Sequence, residues 1–265
     1  MKVVILCGGL GTRIREHNEV LPKPMVVIGD KPILEHVMGI YTRYGFKDFV
    51  LCVGYKGDII RNYFLQYDLL HSDFTVEFNS KNITIHPNSY APVDWRVTIA
   101  ETGLNTMTGG RIKRIEKYID EDAFMVTYGD GVADVEINEL LRFHKASGKI
   151  ATVTGVRPPA RFGELEIDGE RAVRFNEKPQ AHEGWINGGF FVFNRRVFDY
   201  FTGDDCVLER EPLERLAEDG QLAVYKHYGY WQCMDTPRDV ETLQRAWASG
   251  EPPWYGSLNR TQVQG

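Results

Sequence analysis

A glycine-rich segment at residues 7–13 (CGGLGTR) directly follows a short apolar run at residues 3–6. Glycine permits positive φ angles and lets backbone N–H groups approach phosphate oxygens, so the segment predicts a phosphate-binding turn at the end of a strand. A plain tight turn remains an alternative. A dinucleotide-binding loop is disfavoured because Gly9 and Gly11 lack the third glycine of the GxGxxG pattern. A Walker loop is excluded, since no Gly-Lys-Ser/Thr follows.

Three charged residues could complete a triphosphate site. Lys23 lies between two prolines, and such a rigid segment would hold a cation where a leaving pyrophosphate needs its charge neutralised. Asp130 follows an apolar run at residues 123–127, and Asp235 precedes Thr236, a predicted helix N-cap. Because Mg²⁺ commonly takes one or two carboxylates plus phosphate oxygens, the two aspartates predict a magnesium site. Local sequence also allows simpler roles: a solvated lysine, a turn aspartate and a helix-capping aspartate.

The surrounding pattern is that of an α/β protein with a mostly parallel sheet. Continuous apolar runs bounded by glycine, at residues 3–7, 49–53 and 123–127, predict central strands covered on both faces. A helical pattern after Pro32, which can occupy the first helical turn, connects the first two. In an open parallel sheet, ligands bind at the carboxyl ends of the strands, where the segments above end. Further segments predict strands at residues 74–78, 83–85, 95–99, 152–156, 164–167, 172–176 and 185–193, and helices at residues 58–65, 137–144, 212–216 and 237–247.

Composition limits the classes of function. The chain has 265 residues, 43% hydrophobic and 26% charged, enough to bury a sizeable core. Its formal charge of -6 argues against a protein that binds nucleic acid along its length. The N-terminal apolar run is too short for a signal peptide or a membrane span. Four cysteines without CxxC spacing are typical of reduced core residues, so we expect a cytoplasmic protein that does not bind membranes.

Several segments, taken in order, resemble the sugar 1-phosphate nucleotidyltransferase family from residue 1 to about residue 254. Residues 8–13 and 177–179 (EKP) mark the whole family. Residues 55–57 (YKG), 107–111 (MTGGR) and 231–236 (WQCMDT) indicate its cytidylyl branch. The other matching segments are residues 23–25 (KPM), 29–34 (GDKPIL), 127–131 (TYGDG) and 186–190 (INGGF).

The resemblance implies a Rossmann-like nucleotidyltransferase fold, with helices on both faces of the central sheet and a sheet-rich sugar-binding half. It implies one domain over residues 1–250, divided into a nucleotide-binding half (about 1–148) and a sugar-phosphate-binding half (about 149–250), with a tail at 251–265. The implied catalytic residues are Arg13, Lys23 and Asp130, and Asp130 and Asp235 would bind Mg²⁺. The implied nucleotide-binding residues are Leu6, Cys7, Gly8, Gly9, Gly11, Thr12, Arg13, Lys23, Thr106, Arg111 and Gly129. Lys178, Asn187 and Gly188 would bind the sugar phosphate.

The implied reaction joins CTP and α-D-glucose 1-phosphate into CDP-glucose and pyrophosphate, for the synthesis of deoxysugars or surface polysaccharides. A phosphate monoester is already an anionic nucleophile at neutral pH, so no general base is needed. The resemblance also suggests a homo-oligomer in which residues 95–99 or the tail take part. Relatives carry Trp-Glu-x-Glu-Pro-Leu where this chain has Leu208 to Leu213 (LEREPL), so another nucleotide or acceptor remains an alternative. A non-catalytic nucleotide-sensing module and a dinucleotide-dependent oxidoreductase are the other candidates.

Overall fold

The computed structural model describes residues 1–9, 21–86, 93–157, 164–168, 171–176 and 184–256. The strands are β1 (Lys2–Leu6), β2 (Val27–Ile28), β3 (Lys31–Pro32), β4 (Asp48–Val53), β5 (Asp73–Glu77), β6 (Asn82–His86), β7 (Arg96–Glu101), β8 (Ala123–Tyr128), β9 (Gly131–Ala133), β10 (Ala151–Val156), β11 (Glu164–Asp168), β12 (Arg171–Asn176), β13 (Ile186–Asn194), β14 (Leu222–Lys226) and β15 (Trp231–Cys233). The α-helices are α1 (Ile33–Thr42), α2 (Gly57–Leu65), α3 (Tyr67–Leu70), α4 (Thr108–Arg114), α5 (Ile137–Ser147), α6 (Glu211–Glu218) and α7 (Pro237–Ala248). Short 3₁₀ helices cover Lys23–Met25, Glu116–Tyr118 and Arg195–Tyr200.

A seven-stranded sheet forms the centre of the molecule, in the order β14-β10-β13-β8-β1-β4-β7. Its strands are parallel except β13, which is antiparallel to both neighbours. Strand β1 has β4 on one side and β8 on the other, so the chain reverses its winding direction between β1 and β8. Such a reversal opens a crevice at the carboxyl ends of the two strands. The predicted α/β class with a mostly parallel sheet is confirmed.

The alternation of side chains along β1 explains why its sequence is apolar throughout. Val3 and Ile5 pack into one buried cluster, to which α1, α5 and α7 contribute. Val4 and Leu6 pack into a second cluster on the opposite face, with α4 and α6. Both faces of the strand are therefore removed from water, which a continuous apolar run requires.

Two details differ from the sequence prediction. Pro32 does not lie in the first turn of α1, because it ends β3 with ψ 145° and the helix begins at Ile33. The first residues of the expected tail are packed, and Trp254 is only 1% exposed. Its indole Nε1 donates to His36 Nδ1 at 3.3 Å, and the Tyr255 hydroxyl lies 2.9 Å from the same nitrogen. Within the described residues, no helix is long and apolar enough to cross a membrane.

Candidate active site

A cavity of about 610 Å³ lies at the carboxyl ends of β1 and β8. Each predicted nucleotide-binding residue that the structure describes lines it. These residues are Leu6, Cys7, Gly8, Gly9, Lys23, Thr106, Arg111 and Gly129. The predicted metal ligands Asp130 and Asp235 line the same cavity. The sequence prediction thus selected residues that the fold brings together, although contact with a nucleotide stays a prediction. Gly11, Thr12, Arg13 and Lys178 lie outside the described residues.

Lys23 lies between the two aspartates. Its Nζ is 2.5 Å from Asp130 Oδ2 and 2.6 Å from Asp235 Oδ1. Burial alone would lower the pKa of Lys23, but the charges and hydrogen bonds of the two carboxylates outweigh burial and raise it. The backbone supports this placement, because buried Pro24 and Met25 anchor the 3₁₀ turn that begins at Lys23. The structure therefore replaces the solvated lysine of the local interpretation with a fixed, charged one.

Different elements bring the two aspartates together. Asp130 follows β8, and its carbonyl accepts a hydrogen bond from Met234 N at 2.8 Å, which joins it to the segment that carries Asp235. The start of α7 is capped by Thr236 and Asp239, whose side chains bond reciprocally to the backbone in a capping box. Asp235 therefore does not serve as the cap. Its side chain points to Lys23, and the helix cap fixes the backbone behind it.

The donor set fits a divalent cation that is shared with a ligand. Within the described part of the chain, no group of three or more His, Cys, Asp or Glu side chains forms a self-sufficient metal site. Two carboxylates facing one cavity are nevertheless what Mg²⁺ uses when phosphate oxygens and water complete its coordination. The ammonium of Lys23 lies between these carboxylates, which demonstrates that a cation is stabilised there.

Arg111 joins the carboxyl ends of three strands. It is only 4% exposed, and its Nη1 donates to the carbonyls of Val53 and Gly103 and to the hydroxyl of Thr102, at 3.3, 2.8 and 2.8 Å. Its Nη2 donates to the Gly8 carbonyl at 2.9 Å. Burial lowers the pKa of Arg111. The side chain thus holds the ends of β1 and β4 and the loop after β7 in register around the cavity.

This arrangement explains two of the glycines. A Cβ atom at Gly8 would lie 2.1 Å from Arg111 Nη1, and one at Gly54 would lie 2.5 Å from the same atom. Among the described residues, no atom would lie within 4 Å of a Cβ at Gly9. Gly8 is therefore required by the close approach of the guanidinium, in addition to any approach of phosphate.

The two predicted sugar-phosphate residues that the structure describes, Asn187 and Gly188, lie beside the cavity. Asn187 Nδ2 is 3.3 Å from the hydroxyl of Tyr128, which lines the cavity wall. The Gly188 carbonyl accepts a hydrogen bond from Trp231 Nε1 at 2.8 Å. A Cβ at Gly188 would lie 2.9 Å from the Thr154 carbonyl, so a close strand approach requires this glycine.

Sequence reasoning gave no individual role to two residues of the cavity wall, Tyr128 and Thr108. Both are hydrogen-bonded to Glu209, which lies far from them in the sequence. No local signal distinguishes Glu209 from a surface glutamate, since the contacts depend on the position of the loop before α6.

A mostly parallel sheet with a cavity at the carboxyl ends of its strands, and a lysine ammonium between two carboxylates at the cavity wall, is the arrangement expected of a nucleotide-processing enzyme. The chain belongs to the nucleotidyl transferase family, whose model matches residues 2–245. This confirms the predicted family. Enzymes of this family generally use a divalent metal.

Individual relatives and solved structures indicate which members of the family the chain resembles. A glucose-1-phosphate cytidylyltransferase of Salmonella typhi is 49% identical over 255 residues, which cover 96% of this chain and 98% of the relative. A probable glucose-1-phosphate cytidylyltransferase of Bacillus subtilis is 43% identical, covering 96% of this chain and 99% of the relative. The solved structure of HddC from Yersinia pseudotuberculosis has a TM-score of 0.69 at 24% identity, covering 93% of this chain and 99% of that one. This last likeness supports the fold.

Proposed function

We propose that the protein transfers a cytidylyl group from CTP to α-D-glucose 1-phosphate, giving CDP-glucose and pyrophosphate. The observation that carries this proposal is the 49% identity, over nearly the full length of both chains, to a glucose-1-phosphate cytidylyltransferase. The cavity supports it, because the cation and carboxylates that such a transfer needs lie together at its wall.

The chemistry places few demands on the protein beyond position and charge. A phosphate oxygen of glucose 1-phosphate attacks the α-phosphorus of CTP, and the bond from that phosphorus to the bridging oxygen breaks as pyrophosphate leaves. The nucleophile is already anionic, so no side chain has to remove a proton. Lys23 then has the role of neutralising charge that develops on the phosphates. Loss of one such contact costs about 3 kcal/mol in the barrier, or roughly a hundredfold in rate.

Asp130 and Asp235 would hold Mg²⁺. When bound, the ion supplies a positive charge that offsets the charge of the triphosphate. The protein's part is to hold the two carboxylates at one edge of the cavity, through the β8 end and the capped start of α7. On the acceptor side, Lys178, Asn187 and Gly188 are the proposed contacts to the sugar phosphate.

The direct test is pyrophosphate release from each of the four NTPs with a panel of sugar phosphates. We expect turnover with CTP and glucose 1-phosphate, and a loss of roughly a hundredfold in Lys23→Ala and Asp130→Ala proteins that still fold. Lys47→Ala is the matched control, because Lys47 makes an exposed ion pair with Asp94 away from the cavity.

Each alternative has its own outcome in this assay. Turnover with another NTP or acceptor would replace the proposed substrates. Nucleotide binding without turnover would favour a sensing module, and near-normal rates in Lys23→Ala would remove the role of that side chain.

We further propose that the protein is a cytoplasmic homo-oligomer that acts in deoxysugar or surface polysaccharide synthesis. The four cysteines are free thiols, as expected in a reducing compartment. Strand β7 lies at the edge of the sheet, and the β5–β6 hairpin exposes Phe74, Val76, Ile83 and Ile85. Light scattering on the purified protein measures the oligomeric state.

A further inference from the structure

Glu209 lies outside the cavity but binds two residues of its wall. One carboxylate oxygen accepts a hydrogen bond from the hydroxyl of Tyr128 at 2.5 Å. The other accepts one from the hydroxyl of Thr108 at 2.7 Å. Tyr128 ends β8, two residues before Asp130, and Thr108 is the first residue of α4. The Glu209 side chain therefore connects β8, the strand that precedes the proposed metal ligand Asp130, to α4, the helix that carries Arg111.

The chemistry of the carboxylate fixes the direction of the hydrogen bonds on the Tyr128 side. A carboxylate only accepts, so Tyr128 must donate its single hydroxyl hydrogen to Glu209. The same hydroxyl oxygen can then accept from Asn187 Nδ2, which lies 3.3 Å away. The other end of the Asn187 amide is also fixed, because its Oδ1 accepts from Gly189 N at 2.8 Å. Asn187 is thus oriented with one of its two amide hydrogens on Tyr128 and the second left for a ligand.

The ring of Tyr128 has little freedom to change this pattern. It packs against the backbone of Gly189, where a Cβ would lie 2.6 Å from the ring and where φ is +83°. Phe191 packs edge to face behind it, with ring centroids 6.1 Å apart. Burial, and then the negative charge of Glu209, raise the pKa of the Tyr128 hydroxyl, so it stays a neutral donor.

The hydrogen bonds of Thr108 also have a fixed direction. Thr108 donates its single hydroxyl hydrogen to Glu209, and its oxygen accepts from Leu208 N at 2.9 Å. The two carboxylate oxygens of Glu209 thus contact different parts of the site. One binds Tyr128, whose hydroxyl contacts Asn187 on the proposed acceptor side. The other binds Thr108, which lies in α4 with the predicted nucleotide-binding residue Arg111.

We propose that Glu209 is a positioning residue for the acceptor: through Tyr128 it holds the Asn187 amide with a free N–H directed to glucose 1-phosphate. This inference rests on the proposed function. It predicts that Glu209 acts on acceptor binding through Tyr128, although it lines no part of the cavity itself.

Glu209→Gln tests it with almost no change in side-chain size. Glutamine carries an acceptor oxygen at only one of the two positions that the carboxylate oxygens occupy, so it cannot accept from both hydroxyls where they now lie. We expect the KM for glucose 1-phosphate to rise roughly tenfold in Glu209→Gln and in Tyr128→Phe, with kcat changed less than about twofold. The double variant should be no worse than the poorer single variant, because both changes break one chain of contacts. Glu211→Gln is the control, since Glu211 is exposed and forms an ion pair with exposed Arg215.

Several outcomes would overturn the inference. The first is a KM within about twofold of wild type in Glu209→Gln, and the second is a double variant whose defect is the product of the single ones. A third is a fall in thermal midpoint of more than about 5 °C with equal rises in both KM values, which would assign Glu209 a purely structural role. If Glu209→Gln does not fold, Tyr128→Phe alone carries the test through its KM-against-kcat split. Absence of CDP-glucose formation by the wild-type protein would overturn the proposed function as well, whereas wild-type turnover with an unchanged variant KM overturns this inference alone.

Discussion

Replacing Lys23 by methionine should create a divalent-cation site that binds without nucleotide. In the free protein the Lys23 ammonium lies 2.5 and 2.6 Å from the Asp130 and Asp235 carboxylates. A divalent cation must displace this ammonium before it can use those oxygens. Methionine keeps the length and the apolar stem of lysine and removes the charge, so no ammonium at this position competes with a divalent cation for the carboxylate oxygens.

The magnitude follows from the two contacts. A hydrogen bond to a charged group contributes about 1.5–3 kcal/mol. The Lys23, Asp130 and Asp235 side chains are 16%, 27% and 30% exposed, so solvent screening favours the lower figure. Two contacts at about 1.5 kcal/mol give about 3 kcal/mol, which corresponds to roughly a hundredfold tighter binding of the cation.

The assay is a titration of the nucleotide-free protein with Mn²⁺, followed by the electron paramagnetic resonance signal of the free ion. Lys47→Met is the matched control, because it removes one surface lysine from an ion pair with Asp94 and changes the net charge equally. Asp130→Asn in the Lys23→Met background should remove the gain. Equal Mn²⁺ affinity in Lys23→Met and wild type, or the same gain in Lys47→Met, would refute the reasoning.

Two further predictions concern stability. Gly8→Ala should lower the free energy of unfolding by about 1–3 kcal/mol, since the new Cβ collides with the Arg111 guanidinium. Gly9→Ala, whose Cβ meets no atom of the described residues within 4 Å, should change it by less than about 0.5 kcal/mol. Urea denaturation measures both, and equal effects would contradict the packing argument. Burial lowers the pKa of His36 below its usual 6.5, so the unfolded chain binds a proton that the folded chain does not. Stability should therefore fall as pH decreases from 6.5 toward the lowered folded pKa, and His36→Gln should flatten that slope in denaturation curves; an unchanged slope would show that other groups cause it.

The fold was largely predictable because its determinants are local. The apolar runs that became β1, β4 and β8 needed no information beyond their own composition, and the rule that ligands bind at strand carboxyl ends placed Asp130 correctly. Lys23 was singled out by its flanking prolines. These features require only that each segment adopt its preferred conformation.

The contacts that hold the site together were not predictable in the same way. Arg111 was predicted as a nucleotide contact, and its hydrogen bonds to three strand ends exist only once the sheet has formed. The sequence around Asp235 suggested a helix cap almost as well as a metal ligand. The structure excludes the capping role, because Thr236 and Asp239 form the cap themselves, and the metal-ligand role stays a prediction.

The charges at the cavity suggest why nucleotide and divalent cation should bind together. The charged side chains that line the cavity among the described residues are Lys23, Arg111, Asp130 and Asp235, whose formal charges cancel, so these residues give the free site no net attraction for a triphosphate. A divalent cation bound to the two carboxylates would make the site net positive, and it would release Lys23 to contact the phosphates. Each ligand therefore improves the site for the other, and by thermodynamic reciprocity CTP must raise the affinity for the cation by the factor by which the cation raises that for CTP. In Lys23→Met part of this coupling should be lost. The cation then displaces no ammonium, so no ammonium is released to bind the phosphates. We therefore predict that the lysine links the two binding steps, through its position between the aspartates in the free protein.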